Sequence, residues 1–110
     1  MGHNLTTEEL VWNPYDEGKT IGEIGSENGA IINDEELSNE EARITLEKGG
    51  YAPFGITCGI YGLMFHTVFA EDYDEAFGKY EEMKIAIADF FINQDDTDVG
   101  DWCGWFSDRF

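Results

Sequence analysis

The feature that most constrains this chain is a stretch of 22 residues, 49–70, without a charged side chain, in a protein whose net charge is -18. A neutral stretch of that length raises the question of a membrane-spanning helix. Five glycines and Pro53 interrupt it, and such interruptions disfavour a continuous helix and are typical of strands joined by turns. We therefore expect residues 49–70 to form a β-hairpin and not to cross a membrane.

Side chains in this hairpin alternate between a bulky face and a slight one. A tip at Tyr61 and Gly62 is favoured because glycine tolerates the positive φ of tight turns. The pairs predicted for the bulky face are Ile60 with Leu63, Cys58 with Phe65, Ile56 with Thr67 and Phe54 with Phe69. The slight face then carries two glycines, and Thr57 lies opposite His66. We expect the bulky face to be buried and His66 to point away from the core.

Segments before the hairpin also show strand and turn signals. Ala42, Ile44 and Leu46 alternate with polar residues, which predicts a third antiparallel strand with one face in water. Asn28 followed by Gly29 is a strong turn signal and predicts an earlier hairpin between isoleucine-rich flanks. We interpret residues 33–41 as an acidic connection and residues 6–9 as a short helical turn.

A long helix is predicted directly after the hairpin. From residue 72 to residue 92 the apolar side chains recur at spacings of three and four, and Asp72 can cap the first turn. The last two turns are apolar nearly all round, so another element must cover them. The apolar residues of the tail, also at helical spacing, are Val99, Trp102, Cys103, Phe106 and Phe110. They predict a second helix capped by Thr97 or Asp98, or a packed irregular tail, over the end of the first.

The length and the apolar content fit one folded domain. Leu, Ile, Val and Phe together make up 26 of the 110 residues, which is above the level at which highly charged chains fail to form a core. We therefore expect an α+β fold with a single antiparallel sheet of three to five strands. One long helix packs on one face of that sheet, and an aromatic C-terminal helix or tail closes the core.

The balance of 24 acidic and 6 basic side chains indicates the kind of partner. Nucleic acids and anionic membranes attract clustered Lys and Arg, and the six basic residues form no cluster in sequence, so we expect direct binding to neither. A basic protein partner fits the charge instead. The first ten residues hold two glutamates and no apolar run, unlike a secretory signal, and we expect a cytoplasmic protein.

Few residues offer catalytic or metal chemistry. Cys58 and His66 are the nearest candidates for a nucleophile and a base, but the predicted register places them on opposite faces. Cys103 lies 45 residues from Cys58 without CxxC spacing, which argues against a zinc site. We expect two free thiols, since a disulfide requires an oxidising compartment. We expect no catalytic residue and no cofactor.

The densest acidic cluster is Asp95, Asp96, Asp98 and Asp101. Its composition is that of a calcium loop, but the order of the oxygen ligands is wrong because Val99 occupies the fifth position. We interpret the cluster as a solvated loop that starts a helix and binds no metal.

The candidate binding residues fall into three groups. They are His66, Thr57 and Tyr61 in the hairpin, Trp105 in the tail, and Asp95, Asp96 and Asp98 in the acidic loop. The glycines at 55 and 59 leave room on the slight face for Tyr51, for Tyr61 or for a side chain of a partner. Trp105 is either an exposed aromatic anchor or part of the cover over the long helix, and a homodimer through the tail aromatics fits both interpretations.

These features together favour a small non-enzymatic protein-binding module, an inhibitor or immunity-type protein that engages a basic, nucleic-acid-handling partner. Two other functions stay open. One is a structural or housekeeping domain whose acidity is an adaptation to solubility or salt. The other is a small enzyme that uses His66 with nearby carboxylates, which requires a concave pocket around that histidine.

Overall fold

Five antiparallel strands form one sheet in the order of the sequence. The structure is a computed structural model and describes residues 10–110. The strands are β1 Trp12–Pro14, β2 Ala30–Leu37, β3 Ala42–Lys48, β4 Phe54–Ile60 and β5 Met64–Ala70. Helix α1, Tyr73–Ile92, packs across one face of the sheet, and helix α2, Val99–Arg109, follows it. The predicted α+β class is confirmed, while the helical turn predicted for residues 6–9 lies outside the described residues.

The core lies between α1 and the sheet. Residues at helical spacing on α1 are buried against alternate residues of β3 and β4, as the two periodicities predict. The fully buried side chains here include Tyr80, Met83, Ile87, Ile44, Leu46 and Ile56. Asp72 caps α1 by accepting a hydrogen bond from the Glu75 amide, and the Glu75 carboxylate accepts one from the Glu71 amide. This reciprocal cap fixes the start of the helix at the predicted place.

Helix α2 confirms the helical interpretation of the tail. Asp98 caps it by accepting a hydrogen bond from the Asp101 amide. Trp102 packs against Phe90 of α1 with ring centroids 4.6 Å apart, and Phe106 is fully buried. The tail therefore covers one side of the apolar end of α1. The opposite side stays open, since Ile85 is 70% exposed.

The interpretation of residues 33–41 as an acidic connection is wrong, because most of this segment is strand β2. Its carboxylates have partners that lie far away in the sequence. Asp34 accepts hydrogen bonds from Arg43 on β3, and Glu35 accepts one from the Tyr80 hydroxyl on α1. Lys84 of α1 is also 2.9 Å from Glu35. These partners allow an acidic sequence to occupy an interior strand.

The predicted register of the β4–β5 hairpin is wrong by one residue. The tip contains three residues, 61–63, with Gly62 at φ +75°. Cys58 therefore lies opposite His66, and Thr57 lies opposite Thr67. Because side chains alternate, this slip moves every side chain of β5 to the other face. His66 points toward the helices, and Phe65 points away from them.

The earlier hairpin is confirmed only at its turn. Asn28 adopts a positive φ of 65°, as the turn requires, but a single bridge between Ile24 and Ala30 replaces the upstream strand. Ile21 and Ile24 are exposed. Residues 15–29 form a loop that lies over the sheet face opposite α1, where its contacts with β2 and β3 hold it.

Candidate functional site

The sheet face opposite α1, here called the outer face, consists of three rows of paired residues. From β2 to β5 the rows are Glu36, Arg43, Gly59 and Phe65; Asp34, Thr45, Thr57 and Thr67; and Ile31, Glu47, Gly55 and Phe69. All charged members belong to β2 and β3, which form the acidic half of the face. The β4 and β5 members carry no charge and form its neutral half.

Asp34 is the centre of the acidic half. Its buried carboxylate accepts hydrogen bonds from Arg43 Nε at 2.9 Å and Nη2 at 2.6 Å, from Thr20 Oγ1 at 2.8 Å and from Thr45 Oγ1 at 3.2 Å. The guanidinium also lies 3.6 Å from the centroid of the Tyr15 ring. The hydrogen bond to Asp34 raises the pKa of Arg43 above its ordinary value. Arg43 is thus engaged within the fold, which leaves little of its charge for an anionic ligand.

Glu47 is the second buried carboxylate of the acidic half, and it is held by backbone amides. Its Oε1 accepts hydrogen bonds from the amides of Glu27 and Gly29, both at 3.1 Å. A side chain at position 25 would collide with this carboxylate, so Gly25 allows the loop to approach it. The charge of Glu47 therefore fixes the turn at residues 25–29 on the sheet.

In the neutral half, two phenylalanines of β5 cover the two glycines of β4. A Cβ atom at Gly59 would lie 2.9 Å from the Phe65 ring, and one at Gly55 would lie 3.6 Å from the Phe69 ring. The room left by the glycines is thus taken by the hairpin's own aromatic rings. Both rings remain open to solvent on their outer sides, with exposed fractions of 79% for Phe65 and 47% for Phe69.

Neither tyrosine proposed to cover the glycines does so by itself. Tyr51 is 75% exposed. Tyr61 reaches across the outer face and donates a hydrogen bond of 2.8 Å to Glu36 on β2. Burial and this hydrogen bond raise the pKa of the Tyr61 hydroxyl above its ordinary value. Tyr61 thus links the tip of the hairpin to the acidic half.

A cleft of about 250 Å³ lies between the loop and the neutral half. Thr57 and Tyr61, two of the predicted binding residues, both line it, together with Arg43, Thr45 and other residues. The Thr57 and Thr67 hydroxyls are 3.2 Å apart. Among the lining residues Glu47 is the sole carboxylate, and the backbone amides already occupy it. The cleft suits weak polar recognition better than proton transfer, because it offers no free general base.

His66 and Cys58 share the helix face, contrary to the predicted opposite placement. The His66 ring contacts Phe106 of α2 with centroids 5.7 Å apart, and its Nε2 atom is buried without a hydrogen-bond partner. Burial raises the pKa of the Cys58 thiol to about 12. The thiol therefore stays protonated at neutral pH and is a poor nucleophile. The predicted pairing of His66 with Thr57 is wrong for the same reason of register.

The two cysteines are free thiols, Cys58 buried and Cys103 partly buried. Within residues 10–110, no three His, Cys, Asp or Glu side chains are grouped so that they could hold a metal ion. The acidic cluster instead starts a helix: Asp98 caps α2, and Asp95 and Asp96 belong to a short 3-10 turn before it.

The outer side of α2 combines an exposed tryptophan with carboxylates. Trp105 is 50% exposed. Asp98, Asp101, Trp105 and Asp108 follow one another at spacings of three, four and three, so they share one side of the helix. We call these four residues the α2 acidic face. Sequence reasoning singled out Trp105 and Asp98 but omitted Asp101 and Asp108 from the site, although their spacing was visible in the sequence.

Positive charge is used up within the fold. Five of the six basic residues form ion pairs with carboxylates of the chain. The pairs are Lys19 with Glu17, Arg43 with Asp34, Lys79 with Glu75, Lys84 with Glu35 and Glu81, and Arg109 with Glu82. Residues 71–110, here called the helical layer, hold twelve carboxylates against three basic residues, and all three basic residues are paired. This layer is therefore strongly negative.

Comparison of the chain with protein-family models, with curated proteins and with solved structures finds no match. In the part of the chain that the structure describes, neither helix has both the length and the apolarity needed to cross a bilayer.

Proposed function

We propose that this chain is a small acidic protein-binding module, an inhibitor or immunity-type protein, that engages a basic, nucleic-acid-handling protein. The observation that carries the proposal is the charge of the helical layer, where twelve carboxylates face three basic residues that are already paired. Such a surface attracts a basic partner over a distance and accelerates the encounter. The carboxylates then occupy positions that nucleic acid phosphates take on the same partner.

The α2 acidic face supplies a contact for this binding. Trp105 is exposed, and Asp101 and Asp108 lie one helical turn to either side of it. A Lys or Arg side chain of the partner can lie over the indole ring while its charge pairs with a carboxylate. Exposed tryptophans are frequent hot spots of protein interfaces. We therefore place the centre of the interface at Trp105.

The chemistry of the other candidate regions supports binding over catalysis. The Cys58 thiol is protonated at neutral pH, and the cleft on the outer face has no free base. A catalytic function needs a nucleophile or base that is both ionised and accessible. The cytoplasmic location expected from the sequence is part of this proposal.

The experiment is a binding screen against basic nucleases and other basic nucleic-acid-binding proteins, by calorimetry, at about 50 mM and about 500 mM NaCl. We expect at least one partner whose affinity falls by tenfold or more (about 1.4 kcal/mol) at the higher salt. The variant W105A should weaken binding by a further factor of about ten or more, as hot-spot residues do. A screen without any salt-sensitive partner would overturn the proposal.

Matched controls separate the interface from general effects of charge and exposed apolar area. Ile85→Ala removes another exposed apolar side chain of the helical layer, and it should leave the affinity unchanged. The double variant Asp101→Asn with Asp108→Asn should weaken binding more than Glu40→Gln with Glu41→Gln, which removes the same charge from the β2–β3 turn. Equal losses for both double variants would contradict an interface centred on α2.

One observation favours a second function. Residues 1–48 also hold twelve carboxylates against three basic residues, which a single interface on the helical layer does not use. A structural or housekeeping domain adapted to salt explains acidity at both ends of the chain. The midpoint of unfolding measured from low to molar NaCl separates the two functions. A midpoint that keeps rising in molar salt favours adaptation, and one that levels off near physiological salt favours the binding module.

A further inference from the structure

We propose that β5 is a self-association edge, which pairs antiparallel with β5 of a second copy of this chain around Thr67. The two five-stranded sheets then form one continuous sheet. The inference goes beyond the proposed function and does not rest on it, since it concerns a different surface and a different partner.

The first argument is that β5 is an open and unprotected edge strand. It hydrogen bonds to β4 on one side, and no backbone hydrogen bond within residues 10–110 joins its other side to another segment. Edge strands are usually protected by charged side chains, by proline or by very short length. The opposite edge, β1, has three residues and ends in Pro14. In contrast, β5 has seven residues with neither a charge nor a proline.

The second argument is that β5 complements itself. In an antiparallel pair centred on Thr67, Phe65 of one copy lies opposite Phe69 of the other on the outer face, and the same contact is repeated by symmetry. Cross-strand aromatic pairs of this kind stabilise sheets. Both rings are exposed in the single chain and would be partly buried in the pair.

The third argument comes from charge and identifies the occupant as a second copy. Two chains of net charge -18 repel each other, and they can approach only where charge is absent. The neutral stretch 49–70 is such a place, and it contains β5. A basic partner gains no carboxylate contact along this strand and is drawn to the helical layer instead. A second copy presents an uncharged strand of the same length.

The size of the contact predicts a weak dimer. Aromatic side chains bury about 150–250 Å² each, so the exposed parts of Phe65 and Phe69 supply about 250 Å² per chain. A stable interface buries about 800 Å² per partner. We therefore expect a dimer that forms only at high protein concentration. We also expect added salt to strengthen it, because salt screens the repulsion between the two chains.

The test is sedimentation velocity over a range of protein concentrations, at about 50 mM and about 500 mM NaCl. We expect a monomer–dimer equilibrium whose dissociation constant falls severalfold at the higher salt. The variant Phe65→Glu should abolish the dimer. Its matched control is Tyr51→Glu, which adds the same charge at an equally exposed aromatic residue outside β5 and should keep the dimer. The far-ultraviolet circular dichroism of both variants should match the parent, since both side chains point into solvent.

A cross-link tests the register independently. Thr67→Cys, made in a Cys103→Ser background, places two cysteines at the symmetry axis within disulfide distance and should give a covalent dimer on oxidation. Tyr51→Cys in the same background should give much less. A protein that stays monomeric at all concentrations and both salts overturns the proposal, as does a dimer that Phe65→Glu and Tyr51→Glu weaken equally. These outcomes are distinct from failure of the proposed function, because W105A should leave the dimer unchanged and Phe65→Glu should leave binding to a basic partner unchanged.

Discussion

The acidic and neutral halves of the outer face belong to the same sheet, but different parts of the chain cover them. In the acidic half, two buried carboxylates hold the loop of residues 15–29 against β2 and β3. In the neutral half, two phenylalanine rings cover glycines, and no loop is fixed over them. Buried charge with specific partners fixes one position of the chain, whereas the neutral half is left free for another molecule.

The largest effect is expected beneath the neutral half, at Cys58. Burial raises its pKa to about 12 from the ordinary value of 9.0, so the folded state keeps the proton between these two values while the unfolded state loses it. The free energy of unfolding should therefore fall as pH rises through this window, by about 4 kcal/mol when ionisation is complete. Denaturant unfolding at a series of alkaline pH values measures this. Cys58→Ala should show a shallower decline than Cys103→Ala; equal slopes would contradict the burial of Cys58.

The next effect tests the buried charge of the acidic half. Arg43→Met leaves the buried Asp34 carboxylate without its cation and should cost about 3 kcal/mol of unfolding free energy. Arg109→Met is the matched control, because its ion pair with Glu82 has the same distance of 2.6 Å but lies at the surface. That control should cost less than about 1 kcal/mol. Similar losses in chemical denaturation would show that Asp34 is not a structural centre.

A smaller loss is expected when Glu47 is made neutral. Glu47→Gln replaces one acceptor oxygen by a donor group, so the amide of Glu27 or Gly29 loses its partner, at a cost of about 2 kcal/mol. Hydrogen exchange at the Gly29 amide should accelerate more than the loss of global stability accounts for. Glu40→Gln, on the exposed β2–β3 turn, should change neither quantity. Unchanged exchange at Gly29 in Glu47→Gln would contradict the anchoring of the loop.

The smallest effect tests the register of the neutral half. Val68 is buried on the helix face of β5, whereas Phe65 is exposed on the outer face. Val68→Ala should cost about 1.5 kcal/mol, although it removes fewer atoms than Phe65→Ala, which should cost less than about 0.5 kcal/mol. The register first expected from the sequence reverses this order. Urea midpoints of the two variants decide between the registers.

Local patterns predicted much of this fold because their causes are local. The caps of α1 and α2 depend on residues three positions apart, and β3 and β4 depend on alternation within one strand. The strand identity of β2 escaped prediction because it depends on partners far away, such as Tyr80, 45 residues from Glu35. Periodicity within one segment carries no information about such partners.

The candidate site was predictable to a smaller extent. The open character of the slight face followed from the glycines at 55 and 59, and Thr57 and Tyr61 do line a cleft there. The position of Phe65 did not follow, because a turn of three residues in place of two reverses the faces of β5. That difference arises from the turn geometry at Gly62 and from packing of β5 against the helices, which alternation alone does not encode.

The central claim is that this chain has two separate binding surfaces, an acidic one on the helical layer and a neutral one at the edge of β5. Sedimentation velocity of the protein alone and with a lysine-rich peptide, over one series of NaCl concentrations, tests it most directly. We predict that self-association increases with salt while peptide binding decreases, and that Phe65→Glu removes the first and W105A weakens the second. Parallel changes of both equilibria with salt, or one variant that removes both, would contradict the claim.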